Sequence, residues 1–182
     1  MVISTIIAGT VSRPGAGYNE ISKQVWDHMV RVAPLARRLA GTLGADAEQA
    51  FTLGLAHDVG KLILFDQVAE LRRGLRRQIR LSDRFLSHAL RTLHEPLGGL
   101  PALEWGLSPH FARIVATHHR SPAPEHADPL SEAIFCAERV DLAWQGAEEV
   151  DLSTIWSEGS LASPQAVVQK ILWSILAEQD EE

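Results

Sequence analysis

The sequence predicts an all-α fold, a compact bundle of about seven or eight helices by the usual helix and loop lengths. Apolar residues recur at three- and four-residue steps through most of the chain, as they do on the buried face of a helix. No run of alternating apolar and polar residues indicates a β-strand. Three capping residues are each followed by proline, which is favoured at the first helical position. They are Ser108-Pro109, Asp128-Pro129 and Ser163-Pro164.

The chain opens with a segment that lacks a helical period. Residues 1–18 contain Pro14 and three glycines, so we interpret them as an irregular arm. From Asn19 an apolar stripe predicts a helix that ends at Gly44. Pro34 lies within this helix and should kink it, because proline removes a backbone donor and its ring clashes with the preceding turn.

Three further helices follow in the middle of the chain. Asp46, with a glutamine three residues later, resembles a capping box and predicts a helix that runs into His57-Asp58. Gly60 should ease the turn into the next helix. Ser82 can cap the third helix, after which prolines and glycines at 96–101 mark an irregular passage or a short helix.

The later helices begin at the serine-proline and aspartate-proline signals, with a proline-containing loop at 121–125 between two of them. We predict one helical domain over residues 19–146. Residues 147–182 form a C-terminal helical extension that packs on the same domain. Because this extension is strongly apolar, partner binding or homodimerisation through it is the alternative.

Composition excludes several classes of protein. The net charge of -6 argues against general nucleic-acid binding, because phosphate contacts need a basic face. No apolar run reaches the roughly 18 residues of a membrane span, and the first residues lack the basic start of a signal peptide. The single cysteine, Cys136, cannot form an internal disulfide, and its apolar neighbours suit a small buried side chain. We therefore expect a cytoplasmic protein that does not bind membranes.

Six potential metal ligands fall on the inward faces or at the ends of four predicted helices. They are His28, His57, Asp58, His94, His118 and His119. A lone inward histidine is usually a core residue with its hydrogen bonds satisfied, and a single His-Asp pair is well explained by capping. Neither explanation accounts for potential ligands on four separate helices. Burying the Asp58 carboxylate beside an imidazole costs several kcal/mol unless a cation compensates it. Imidazole and carboxylate ligands suit Fe, Mn, Ni or Zn, so the pattern predicts one or two divalent ions.

The remaining histidines and most arginines are interpreted as surface residues. We expect His88, His110 and His126 to be solvated, because they lie on polar faces or in a polar loop. The one basic cluster, Arg72–Arg84, is either a solvated helix face or a collar that guides an anionic ligand or an acidic partner.

The order and spacing of these motifs resemble the HD superfamily of metal-dependent phosphohydrolases. The strings that carry the resemblance are Trp26-Asp27-His28, Leu53–Leu62, Trp105–Ser108 and His118-His119. Within the superfamily the chain most resembles the HDOD branch, a signalling-output relative of the HD-GYP cyclic dinucleotide phosphodiesterases. The resemblance covers about residues 20 to 145 and implies an HD-type helical bundle.

The resemblance also implies roles for individual residues. The ligands of a first metal would be His28, His57 and Asp58, with Asp58 able to bridge to a second metal. The ligands of that second metal would be His94, His118 and His119. Glu138 stands where these families place a closing aspartate, and its longer side chain could still ligate or could pull the carboxylate out of line. Lys61 corresponds to a lysine that contacts substrate phosphate in the hydrolytic relatives.

Two functions remain open at this point. The favoured one is a regulatory domain that binds a signalling protein or a phosphorylated small molecule. The alternative is a metal-dependent phosphohydrolase acting on a nucleotide or cyclic dinucleotide, in which Asp58 and Lys61 are catalytic and the metals activate water. The replacement at Glu138 favours the first, as does the absence of the Gly-Tyr-Pro string that follows the paired histidines in HD-GYP enzymes.

Overall fold

The computed structural model describes residues 19–74, 82–120 and 128–145. These ranges contain helices and no strand, so the all-α prediction is confirmed for them. The helices are α1 (Asn19–Leu43), α2 (Ala47–Ala56), α3 (Val59–Gly74), α4 (Asp83–Glu104), α5 (Pro109–Val115) and α6 (Pro129–Trp144). The predicted arm, the loop at 121–125, the C-terminal extension and the helix start at Ser163-Pro164 lie outside the described residues. Within residues 19–74, 82–120 and 128–145, no helix combines the length and hydropathy that crossing a membrane requires.

The helix starts that depend on capping side chains are confirmed. Asp46, Ser82, Ser108 and Asp128 each precede a helix directly, and each side-chain oxygen accepts a hydrogen bond from a backbone N–H two or three residues further on. These donor–acceptor distances lie between 2.8 and 3.2 Å. Each cap satisfies a backbone donor that the helix itself leaves without an acceptor.

Replacing Ser82 by alanine should lower the free energy of unfolding by about 1 kcal/mol, because the Phe85 N–H loses its side-chain acceptor. Urea unfolding followed by circular dichroism measures the change. Ser87→Ala is the matched control. Ser87 is solvent-exposed and lies away from the ends of the same helix, where alanine has a higher helix propensity than serine. Equal losses in the two variants would contradict the capping role.

The first helix ends as its glycine predicts. Gly44 has a φ of 76°, in the left-handed region, and the Ala45 N–H donates to the Ala40 carbonyl at 2.9 Å. This is the Schellman arrangement, which satisfies a carbonyl at the helix end. α1 continues through Pro34 to Leu43 without interruption.

The sequence predicts an irregular passage or a short helix at 96–101. The irregular passage is wrong, because the long helix α4 continues through both Pro96 and Pro101. An interior proline costs a helix about 3 kcal/mol, so packing must compensate. Gly98 and Gly99 let α4 approach α5 closely. A Cβ atom on Gly98 would lie 2.9 Å from Cγ1 of Val115, which only glycine avoids. The tertiary contact therefore overrides the local preference of the segment.

The described residues fall into two compact units. The first contains described residues from 19–29 and 55–117, and the second contains those from 30–54 and 118–145. In the first unit, Leu64 and Phe65 of α3 pack with Ala89 of α4. A second cluster there comprises Met29, Val59 and Leu62, and the half-buried Trp105 packs against it.

The second unit is built around the apolar helix α6. Its residues from Leu130 to Ala137 are all buried. Cys136 lies among them, so the prediction of a small buried side chain is confirmed. Burial and the nearby Glu132 carboxylate raise the pKa of the Cys136 thiol. The Cys136 Sγ donates a long hydrogen bond of 3.8 Å to Oε1 of Glu132. This thiol is therefore protonated and unreactive.

Candidate metal centre

His57 and Asp58 of the first unit form the turn between α2 and α3. α2 ends at Ala56 and α3 begins at Val59, so the pair fills the short connection. Both side chains are almost completely inaccessible, with exposed fractions of 0% for His57 and 1% for Asp58. A carboxylate buried to this extent needs neighbouring donors or cations to offset its lost hydration.

Three imidazole nitrogens and one ammonium surround the Asp58 carboxylate. The Nε2 atoms of His28 and His57 each lie 3.7 Å from Oδ2 of Asp58, and Nε2 of His94 lies 3.7 Å from Oδ1. The Lys61 Nζ lies 2.5 Å from Oδ2. The imidazole distances are too long for direct hydrogen bonds, whereas two ligands that share an ion at about 2.1 Å lie roughly 3–4 Å apart.

The His94 ring is oriented by the backbone of its own helix. Its Nδ1 donates to the Leu90 carbonyl at 2.5 Å. The neutral ring then carries its lone pair on Nε2, the nitrogen that faces Asp58. A backbone carbonyl that fixes the tautomer in this way is the usual support for a metal-binding histidine.

The His28 and His57 rings meet edge to face at their Nε2 atoms. The ring centroids lie 5.1 Å apart at an interplanar angle of 71°, and the two Nε2 atoms are 3.2 Å apart. Only one of these nitrogens can donate a proton to the other, and a cation between them would accept both lone pairs. The potential ligand atoms of His28, His57 and Asp58 all lie within 4.8 Å of one another. Two nitrogens and one oxygen at this spacing fit a divalent transition metal.

The other predicted ligands lie in the second unit. His118 is completely buried, whereas the side chain of His119 is 39% exposed. Their ring centroids are 4.2 Å apart. The Nδ1 of His119 lies 2.9 Å from Oε1 of the buried Glu138. Glu138 thus hydrogen-bonds a predicted ligand, and the assignment of His94, His118, His119 and Glu138 to a second metal stays a prediction.

An ion pair in the second unit was not predicted from the sequence. Arg31 of α1 makes two parallel hydrogen bonds to Asp141 of α6, at 2.7 Å through Nε and 3.1 Å through a terminal nitrogen. The Asp141 side chain is 4% exposed, so Arg31 compensates a second buried carboxylate. The sequence signal was an aspartate within the apolar helix α6, which requires a cationic partner that spacing alone does not identify.

The predicted surface residues are exposed where the structure describes them. His88 and His110 are exposed, as expected, and His126 lies outside the described residues. Within the basic cluster Arg72–Arg84, Arg73 and Arg84 are exposed. The structure describes no side chain for the other arginines of this cluster.

Comparison with known sequences gives a family match and distant curated relatives. A family model described as the HDOD domain matches residues 1–121. The chain is 27% identical over 132 residues to ribonuclease Y of Pseudothermotoga lettingae and 28% identical over 130 residues to ribonuclease Y of Desulforudis audaxviator. These matches cover 72% and 71% of this chain but 21% and 20% of the relatives. The chain therefore spans about a fifth of the length of these relatives.

Comparison with solved structures concerns the fold. A proposed phosphohydrolase from Shewanella amazonensis SB2B superposes with a TM-score of 0.64 at 19% identity, over 96% of this chain and 66% of that one. A predicted HD superfamily hydrolase involved in NAD metabolism, from Clostridium acetobutylicum, superposes with a TM-score of 0.57 at 19% identity. This second match covers 98% of this chain and 88% of the other. Both neighbours share the helical fold of this chain.

Proposed function

The chain belongs to the HDOD family, and from this premise we propose that it is a regulatory domain that holds a divalent metal ion and acts by binding a signalling protein or a phosphorylated small molecule. The observation that carries the metal site is the convergence of imidazole nitrogens on the buried Asp58 carboxylate. Family membership supports the regulatory role, which is the role that the sequence resemblance implies.

The residues that would hold the ion are His28, His57 and Asp58. When bound, a divalent ion supplies positive charge and Lewis acidity at this point. The two imidazoles offer Nε2 atoms, and Asp58 offers Oδ2, to which both nitrogens are equidistant. His94 faces the other oxygen of Asp58 with its tautomer fixed, so it supports the carboxylate or contributes a further ligand.

Two features favour regulation over hydrolysis. Glu138 replaces an aspartate and is engaged by the Nδ1 of His119, so both groups already have a polar contact. The string after the paired histidines, Arg120-Ser121-Pro122, also departs from the Gly-Tyr-Pro of the HD-GYP phosphodiesterases. Each departure falls on a position where the resemblance expects hydrolytic machinery.

The alternative is a metal-dependent phosphohydrolase that acts on a nucleotide or a cyclic dinucleotide. The names of the relatives, ribonuclease Y and phosphohydrolase, favour it, and so does the lysine at 61. The Lys61 side chain is 24% exposed, so its ammonium could reach a phosphate. In this alternative, Lys61 would balance the charge on the phosphoryl oxygens.

A turnover assay separates the two functions. Protein loaded with Mn²⁺, Fe²⁺, Ni²⁺ or Zn²⁺ is offered cyclic dinucleotides, a phosphodiester chromogen and short RNA. We expect no turnover above that of an Asp58→Asn variant prepared identically, because that variant weakens metal binding without changing the shape of the side chain. Wild-type turnover that the variant lacks would establish the enzyme instead.

Ligand binding provides the positive test of the regulatory function. We expect one class of phosphorylated nucleotide to raise the Tm of the metal-loaded protein in a saturable way, because a ligand that binds the folded state stabilises it. If no nucleotide raises the Tm, a phosphorylated small molecule is excluded as the ligand and a signalling protein is left as the proposed partner.

The number of bound ions tests the second set of ligands. If His94, His118, His119 and Glu138 bind a second ion, elemental analysis should give about two ions per chain for the wild type. Glu138→Gln should then lower the content by about one ion and leave the first site filled. A content near one ion in both proteins would remove the second ion from the proposal and retain the first.

A further inference from the structure

Lys61 contacts the Asp58 carboxylate more closely than the imidazoles of His28, His57 and His94 do. Its Nζ lies 2.5 Å from Oδ2, whereas the Nε2 atoms of His28 and His57 lie 3.7 Å from that oxygen. The lysine follows the aspartate by three residues, in the first turn of α3, so the helix itself brings the two charges together. The Asp58 charge is therefore compensated by the protein's own cation.

The Lys61 ammonium and a divalent ion would compete for Oδ2 of Asp58. An ion held by His28, His57 and Asp58 would need the lone pairs of Oδ2 that now accept from Lys61. It would also lie within a few ångströms of the ammonium, where two positive charges repel strongly in a buried setting. The ion can bind tightly only when the ammonium moves away from Asp58.

We propose that Lys61 is an internal cation that competes with the divalent metal for Asp58 and so sets the metal affinity of the centre. The inference rests on the proposed metal site. The lysine is suited to this role because its head group sits on a flexible four-carbon stem and its side chain is 24% exposed. The ammonium can therefore swing towards solvent while Asp58, which is 1% exposed, stays in place.

Displacement of the ammonium has a consequence for anionic ligands. Once the metal compensates Asp58, the Lys61 charge is available to a phosphate group at the mouth of the site. Metal binding and phosphate binding should then be coupled, with each favouring the other. Lys61 would thus contact the Asp58 carboxylate when the metal is absent and the phosphate of a ligand when the metal is bound.

The test compares Mn²⁺ affinities by equilibrium dialysis after removal of bound metal with a chelator. Lys61→Met keeps most of the side-chain volume and removes the charge. We expect it to bind Mn²⁺ at least about tenfold more tightly than the wild type, because the competing charge-assisted hydrogen bond is gone. Lys23→Met is the matched control, since Lys23 pairs with Asp27 at 2.6 Å on an exposed face of α1. Its affinity should stay within about twofold of the wild type.

Thermal unfolding provides a second readout. In chelator, Lys61→Met should melt below the wild type, because Asp58 is left buried without the ammonium, and Mn²⁺ should raise its Tm by more than it raises that of the wild type. If Lys61→Met does not fold, Lys61→Gln takes its place, since its neutral amide can still donate to Asp58.

The outcomes separate this inference from the metal site on which it rests. Wild-type binding of Mn²⁺ with unchanged or weaker affinity in Lys61→Met overturns the competition and leaves the metal site intact. If Lys61→Met binds Mn²⁺ and the wild type does not, the ammonium excludes the metal completely, which also supports the competition. Absence of Mn²⁺ from both proteins overturns the metal site as well.

Discussion

Replacing His57 and Asp58 together by alanine should abolish metal binding. The double change removes two of the three ligand residues of the first site. The Nε2 of His28 loses the His57 nitrogen at 3.2 Å and the Asp58 oxygen at 3.7 Å. Elemental analysis of the purified protein after reconstitution should fall from more than about half an ion per chain to less than about a tenth. This is the largest effect that we expect of any substitution on metal content. The first site keeps only one of its three ligand residues, and a second ion would lose Asp58, the carboxylate expected to bridge to it.

The control is the double variant Asp27→Ala, His88→Ala. It removes the same two residue types from elsewhere in the chain, where the Asp27 side chain is 41% exposed and His88 is exposed. Its metal content should equal that of the wild type, and circular dichroism should show that both doubles retain their helices. Wild-type protein that takes up no metal on reconstitution would contradict the shared basis of both proposed functions.

The parts of the fold that could be predicted from the sequence are those fixed by local chemistry. The helix starts at Ser82 and Ser108 depend on a side chain and a backbone N–H three residues away, so a short stretch of sequence contains both partners. The inward position of His28 follows from its place on an apolar stripe. Such features need no knowledge of what the helix packs against.

The parts that could not be predicted depend on residues distant in sequence. Arg31 and Asp141 are separated by 110 positions, and their pairing requires α1 and α6 to be placed first. The passage of α4 through Pro96 has a similar origin, because its compensation comes from close packing on α5. In both cases the unfavourable feature, a buried carboxylate or a proline inside a helix, is visible in the local sequence. The residue that compensates it is distant in sequence.

Gly60 shows the same limitation within the metal centre itself. Its sequence position, just after His57-Asp58, suggested that it eases a turn, but the residue lies inside α3. A Cβ atom there would lie 1.8 Å from the carbonyl oxygen of His94 and 2.8 Å from the backbone nitrogen of Gly98. The glycine therefore permits close contact between α3 and α4, and this contact carries His94 towards Asp58.

Replacing Gly60 by alanine should destabilise the protein by at least about 3 kcal/mol. Both clashes are with backbone atoms, which cannot rotate away, so the two helices must separate. The intrinsic gain of alanine over glycine in a helix, about 1 kcal/mol, is too small to offset this. Urea unfolding measures the loss. Separation of α3 and α4 should also lower Mn²⁺ affinity in whatever fraction stays folded, because it moves the His94 Nε2 away from Asp58.

Gly41→Ala isolates the packing effect from helix propensity. Gly41 lies in α1, and a Cβ atom there would meet nothing within 4 Å. This variant should gain roughly 0.5–1 kcal/mol, so the two glycine-to-alanine changes are expected to differ in sign. A Gly60→Ala protein as stable as the wild type would mean that α3 and α4 have room to separate. The position of His94 beside the carboxylate would then not depend on the close contact at Gly60.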